Sequence, residues 1–204
     1  MFIGITGGVG TGKSTILNYM EEAYGAHIIK ADDLSKTMSL KGGRAYKAIV
    51  DTFGEAILTD GPDSEIDRKI LGEITFNNDE ALAKLNNIIH PLVREEIIAL
   101  RDKYYEANPQ AIIVLEAALL IECGYKELLD DLWAVLVDKD TRLERLKAQR
   151  GYTEEKLDSI MDNQLSDEEF VSGSDFIIDN SLSEAYTKRQ IDYRMKLLLF
   201  GLTD

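Results

Sequence analysis

The sequence predicts an α/β fold, a doubly wound parallel sheet of about five strands with helices on both faces. Short apolar runs alternate with longer stretches of helical period, which is the pattern of repeated β-α units. Most of those runs are apolar throughout, as strands covered on both faces require. The first run ends at a glycine cluster that opens directly into a helix. Composition agrees: 45% of the 204 residues are hydrophobic and 29% charged, enough apolar surface to offset the entropy of folding.

Taken in order, FIGIT at 2–6 reads as a buried strand, and Ile16, Leu17, Met20 and Tyr24 then fall on one helical stripe. AHII at 26–29 is the second strand. The segment 42–54 spaces Tyr46, Ile49, Val50 and Phe53 as a helix closing on Gly54. After the Asp60-Gly61-Pro62 turn, helices are expected over 65–76 and 78–89, with another starting at Pro91 and running to about 105. Strands follow at 111–115, 132–137 and 175–178, and helices at 140–150, 153–164 and 181–199. No repeat or long linker divides the chain, so 1–204 reads as a single domain. Its helix-rich excursions, about 33–107 and 140–173, are expected to form a flap and a lid at the sheet's C-terminal edge.

Charge excludes some partners. With 37 acidic against 23 basic residues the formal net charge is −14, which opposes nucleic acid and anionic membrane as bulk partners. No window is apolar and long enough to span a bilayer, and no basic, apolar leader opens the chain. Cys123 is the single cysteine, which excludes an intramolecular disulfide and fits a cytoplasmic setting. The apolar tail Leu197-Leu198-Leu199-Phe200 docks either on its own core or on a neighbour, giving a monomer or a weak homo-oligomer.

The chemistry starts at Gly7-Gly8-Val9-Gly10-Thr11-Gly12-Lys13-Ser14, which satisfies G-x-x-x-x-G-K-[ST] and is followed by Thr15. Glycines allow successive N–H groups to converge on phosphate oxygens, and the helix that begins here points its positive end at the anion. Lys13 reaches the β- and γ-phosphates of ATP, and the Ser14 hydroxyl is placed to ligate Mg²⁺. The motif's setting between strand and helix favours this over a mere glycine-rich turn. A switch GTPase is disfavoured: Asp51-Thr52-Phe53-Gly54 lies at a helix end, and Asp138-Lys139-Asp140 lacks the residue that should precede its lysine. A small-molecule kinase remains.

Such a kinase needs a group at the acceptor. Asp32 follows the second strand, where a carboxylate can accept the acceptor's proton; capping the next helix is the other reading. Glu116, past the third strand, is either a holder of a Mg²⁺-bound water or a helix N-terminal charge. Arg145 and Arg150 lie on a helix approaching the sheet edge, suited to stabilising transferred charge or simply to a solvated face.

Together these features resemble the dephospho-CoA kinase family over nearly the whole chain. The resemblance rests on IGITGGVGTGKST, on GAHIIKADDLSK and above all on DGPDSEIDRKILGEITFNNDEALAKLNNIIHPLV. EAALLIECGY, DKDTRLERLKAQR, Gln164 and SDFIIDN extend it. It implies transfer of the γ-phosphate of ATP to the 3′-hydroxyl of dephospho-CoA. By the same resemblance Asp32 serves the acceptor hydroxyl, Arg68 and His90 belong to the acceptor pocket, and Arg145 with Arg150 to the lid. Gly8, Val9, Gly10, Thr11, Gly12, Lys13, Ser14 and Thr15 hold the nucleotide, and Asn180 falls near its adenine. The chain departs from the family at Lys30, which replaces an acid, at Ala117 and Ala118, and in LSDEEFVSGS after Gln164, where basic residues are usual. The rival expectations are another nucleoside or nucleotide kinase, and a nucleotide-binding regulator with little catalysis.

Overall fold

The computed structural model describes residues 1–76, 78–150 and 164–202, apart from the side chains of 149 and 150. Five strands form one sheet: β1 (Phe2–Thr6), β2 (His27–Lys30), β3 (Ile113–Glu116), β4 (Asp131–Leu136) and β5 (Phe176–Asp179). Their order is β2-β3-β1-β4-β5, and β1–β3, β1–β4 and β4–β5 pair in parallel. The doubly wound α/β expectation therefore holds. β1 and β2 are not adjacent in the sheet, however: β3 lies between them.

Met1–Ile29 and Asn108–Asp204 make one compact unit. In it α1 (Lys13–Tyr24) and α8 (Glu184–Phe200) cover one face of the sheet. Ile16, Leu17 and Met20 of α1 and Ile191 and Met195 of α8 bury against Ile3, Ile5, Trp133 and Val135. The 3.6-residue period of α1 thus meets alternate residues of β1, while Gly4, pointing the other way, leaves room for Leu120, Leu129 and Leu132. Asp131 is buried in β4. It takes two hydrogen bonds from Arg194, at 2.7 and 2.8 Å, and one from the Trp133 indole, at 2.5 Å.

Helices α6 (Lys139–Arg150) and α7 (Asp167–Gly173) belong to the same unit. α7, which no helical pattern predicted, opens at Ser166-Asp167-Glu168-Glu169, where Ser166 and Glu169 form a capping box. Its acids occupy the first turn, where they favour the helix dipole. The helix expected over 153–164 lies, up to Asn163, outside the described residues.

Lys30–Ala107 form the second unit, containing α2 (Ala31–Ser39), α3 (Tyr46–Phe53), α4 (Arg68–Phe76) and α5 (Asp79–Ala107). The two helices expected on either side of Pro91 are one continuous helix. A proline removes one intrahelical hydrogen bond, yet α2, α3 and α4 all pack on α5, and burial of Val93 and Ile97 offsets that loss. α4 starts at Arg68 rather than 65 because the Asp67 carboxylate accepts the N–H groups of Lys69 and Ile70, at 2.8 and 3.2 Å.

Candidate active site

The glycine-rich loop joins β1 to α1, with Gly12 as N-cap at φ 87°, a left-handed conformation that an L side chain rarely adopts. A Cβ at Gly12 would also overlap the Asn180 amide. Lys13, Ser14 and Thr15 form the first turn of α1, with both hydroxyl residues exposed. Lys13 Nζ donates to the Gly7 and Gly8 carbonyls at 2.8 and 3.3 Å and lies 3.8 Å from Glu116. The end of β3 thus brings Glu116 to the loop lysine. The helix-terminus reading of Glu116 fails, because it is the last residue of a strand.

Asn180 is buried and braces the loop from behind. Its amide donates to the Thr11 carbonyl at 2.7 Å, while its own oxygen accepts the Thr187 hydroxyl at 2.8 Å. Arg145 Nη2 donates to the Asn180 carbonyl at 2.9 Å. Arg145 Nη1 is buried without a hydrogen-bond partner among the described residues, 3.5 Å from where a Gly12 Cβ would stand. An orphaned guanidinium N–H at the glycine-rich loop is a good fit to a phosphate anion. The Arg150 side chain lies outside the described residues.

Two residues here have no role assigned from sequence, although Gln164 is among those that carry the resemblance. Arg142 donates from Nε to the Val9 carbonyl at 2.7 Å and from Nη2 to Gln164 Oε1. Gln164 in turn accepts the Val9 N–H at 3.4 Å. Burial pushes the Arg142 guanidinium pKa down, against the opposing field of Asp167. Gly8 has no side chain because the guanidinium occupies the space where a Cβ would go.

Beside the first turns of α1 and α8 a cavity of about 220 Å³ is lined by Thr15, Asn18, Tyr19, Glu22, Glu184 and Lys188. Among the described residues no group of three or more His, Cys, Asp or Glu side chains is placed to hold a metal ion. Burial and the charge of Glu122 raise the Cys123 thiol pKa, so it is no ready nucleophile.

In the second unit Asp32 is exposed in the first turn of α2 beside Asp33. The capping reading of Asp32 is corrected: the helix starts at Ala31, Lys30 is the N-cap, and no side chain caps it. Arg68 is exposed, its Nη2 donating to the Lys36 carbonyl at 3.1 Å. Arg68 and Lys36 line a cavity of about 210 Å³ with Glu65, Leu40, Ile66 and Leu71. His90 is half-buried within α5 rather than at a helix junction, and neither it nor Asp32 lines that cavity.

No described helix is long and apolar enough to cross a membrane. The dephospho-CoA kinase family model matches residues 1–185. A dephospho-CoA kinase of Carboxydothermus hydrogenoformans is 40% identical over 191 residues, covering 93% of this chain and 90% of that protein. One of Streptococcus mutans is 34% identical over 196 residues, 96% of each. Among solved structures, dephospho-CoA kinase from Campylobacter jejuni aligns over 98% of both chains, with a TM-score of 0.71 and 27% identity. A shikimate kinase of Acinetobacter baumannii, at 13% identity and a TM-score of 0.56, shares the fold alone. The chain belongs to the dephospho-CoA kinase family.

Proposed function

We propose that this protein transfers the γ-phosphate of ATP to the 3′-hydroxyl of dephospho-CoA, giving coenzyme A and ADP. The observation that carries the reading is the loop around Lys13, together with the unpartnered Arg145 Nη1 beside it, in a chain of this family. Backbone N–H groups of the loop, those of Gly10, Gly12 and Lys13 among them, bind the phosphates, with Ser14 and Thr15 extending the cradle along the first turn of α1. Lys13 and Arg145 neutralise charge on the transferring group. In this structure Lys13 Nζ rests on loop carbonyls, from which it swings to the phosphate.

Ser14 is the residue that would hold Mg²⁺, an ion that supplies further charge neutralisation across the β- and γ-phosphates. Asp32 takes the proton of the ribose hydroxyl as the oxygen attacks phosphorus. Its exposed, unencumbered carboxylate suits that role. Arg68 and His90 bind the acceptor, Arg68 from the cavity it shares with Lys36. Asn180 serves the nucleotide by fixing the loop at Thr11, and Arg150 belongs to the lid. The substrates are small and soluble, and the protein acts in the cytoplasm, as a monomer or a weak homo-oligomer, on neither nucleic acid nor membrane.

An ADP-release assay offering dephospho-CoA beside AMP and CMP tests the acceptor. Turnover with dephospho-CoA alone is the expected result. Turnover with only the nucleotides would transfer the assignment to a nucleotide kinase, and tight ATP binding without turnover to a regulator.

A further inference from the structure

We infer that Arg142 is a positioning residue of the phosphate loop, fixing by its Nε the Val9–Gly10 peptide so that the Gly10 N–H faces the nucleotide. The inference rests on the nucleotide-binding reading and adds a residue to it.

Val9 stands between two glycines, so the backbone alone does not choose the orientation of its flanking peptides. The side chains around it do. The Gly8–Val9 peptide is held at both ends: Val9 N–H donates to Gln164 Oε1 at 3.4 Å, and Gly8 O accepts the Thr11 hydroxyl at 3.0 Å. The next peptide is held at its oxygen, since Val9 O accepts from Arg142 Nε at 2.7 Å. A peptide's N–H and C=O point in opposite directions, so drawing Val9 O toward Arg142 turns the Gly10 N–H away from it. Released, that unit is free to flip and present its carbonyl to a phosphate, replacing attraction by repulsion. The Arg142–Gln164 hydrogen bond closes the arrangement into a ring around Val9.

Two further observations show that the arrangement is built for the loop. Arg142 is 8% exposed, and no carboxylate among the described residues lies within ion-pair distance of it. The field of Asp167 offsets only part of the cost of burying this cation, and bound phosphate adds counter-charge at the loop it touches. The geometry also selects Nε. Because the guanidinium lies against Gly8, any side chain at position 8 would displace it.

The test is direct titration of each variant with ATP and Mg²⁺ by displacement of a fluorescent ATP analogue, which needs no acceptor. Arg142→Ala should weaken ATP binding by about ten- to a hundred-fold, the loss expected for one hydrogen bond from a charged donor. Arg142→Gln places an amide nitrogen at the same point of the side chain as Nε, and should recover affinity to within about three-fold of wild type. Arg142→Lys keeps the charge but puts no donor there, and should stay weak. A general structural role would not produce that order of rescue.

Gln164→Ala, which removes the other end of the ring, should weaken ATP binding several-fold and serves if Arg142→Ala does not fold. The inference is overturned if Arg142→Ala binds ATP within two-fold of wild type. It is equally overturned if lysine rescues and glutamine does not, or if Gln164→Ala is silent. Wild-type protein that binds no ATP would instead refute the nucleotide reading beneath it.

Discussion

Asp32 and Asp131 show how differently one residue type is used. Asp131 is buried, and Arg194 and Trp133 saturate its oxygens, which fixes β4 against α8. Removing one partner leaves a charge in the core, so Arg194→Ala should lower unfolding stability by about 3–5 kcal/mol in urea titrations. A loss under about 1 kcal/mol would show that the pair contributes little. Asp32 is exposed on α2 and has no such structural duty. Asp32→Asn should cut kcat by about a hundred-fold or more with ATP affinity kept, as loss of a general base does. Unchanged kcat would remove Asp32 from the mechanism.

At the scale of elements, periodicity carried most of the fold. The apolar runs identified all five strands, and the stripe of Ile16, Leu17 and Met20 identified α1. Pro91 misled because local rules break a helix there, whereas the packing of α2, α3 and α4 along α5 carries it through. If that packing offsets a lost hydrogen bond, Pro91→Ala should raise stability by about 1–3 kcal/mol in the same titrations. No gain would mean that α5 needs the proline's geometry. The loop was legible in the sequence because its chemistry resides in contiguous glycines and one lysine. Arg142 was not, since a buried arginine and a solvated one look alike in DKDTRLERLKAQR. Only the fold brings it to Val9, 133 residues away.

Across the whole molecule the acidity has a more specific meaning than its sum suggests. Residues 140–174 hold nine acids and five bases. Three of those acids lie in the first turn of α7, where Ser166 caps the helix and its hydrogen bonds hold the Glu169 pKa below the usual carboxylate range. Two of the bases, Arg142 and Arg145, are turned onto the phosphate loop and its brace, Asn180. The net charge of −14 therefore does not describe the field at the nucleotide.

The acceptor atom of the transferred phosphate defines the reaction. Incubation with ATP, Mg²⁺ and dephospho-CoA, followed by mass spectrometry and phosphorus NMR of the product, addresses it directly. The expected result is coenzyme A, phosphorylated at the ribose 3′-hydroxyl in step with ADP release. ADP release without that product, or a phosphate on any other position, would contradict it.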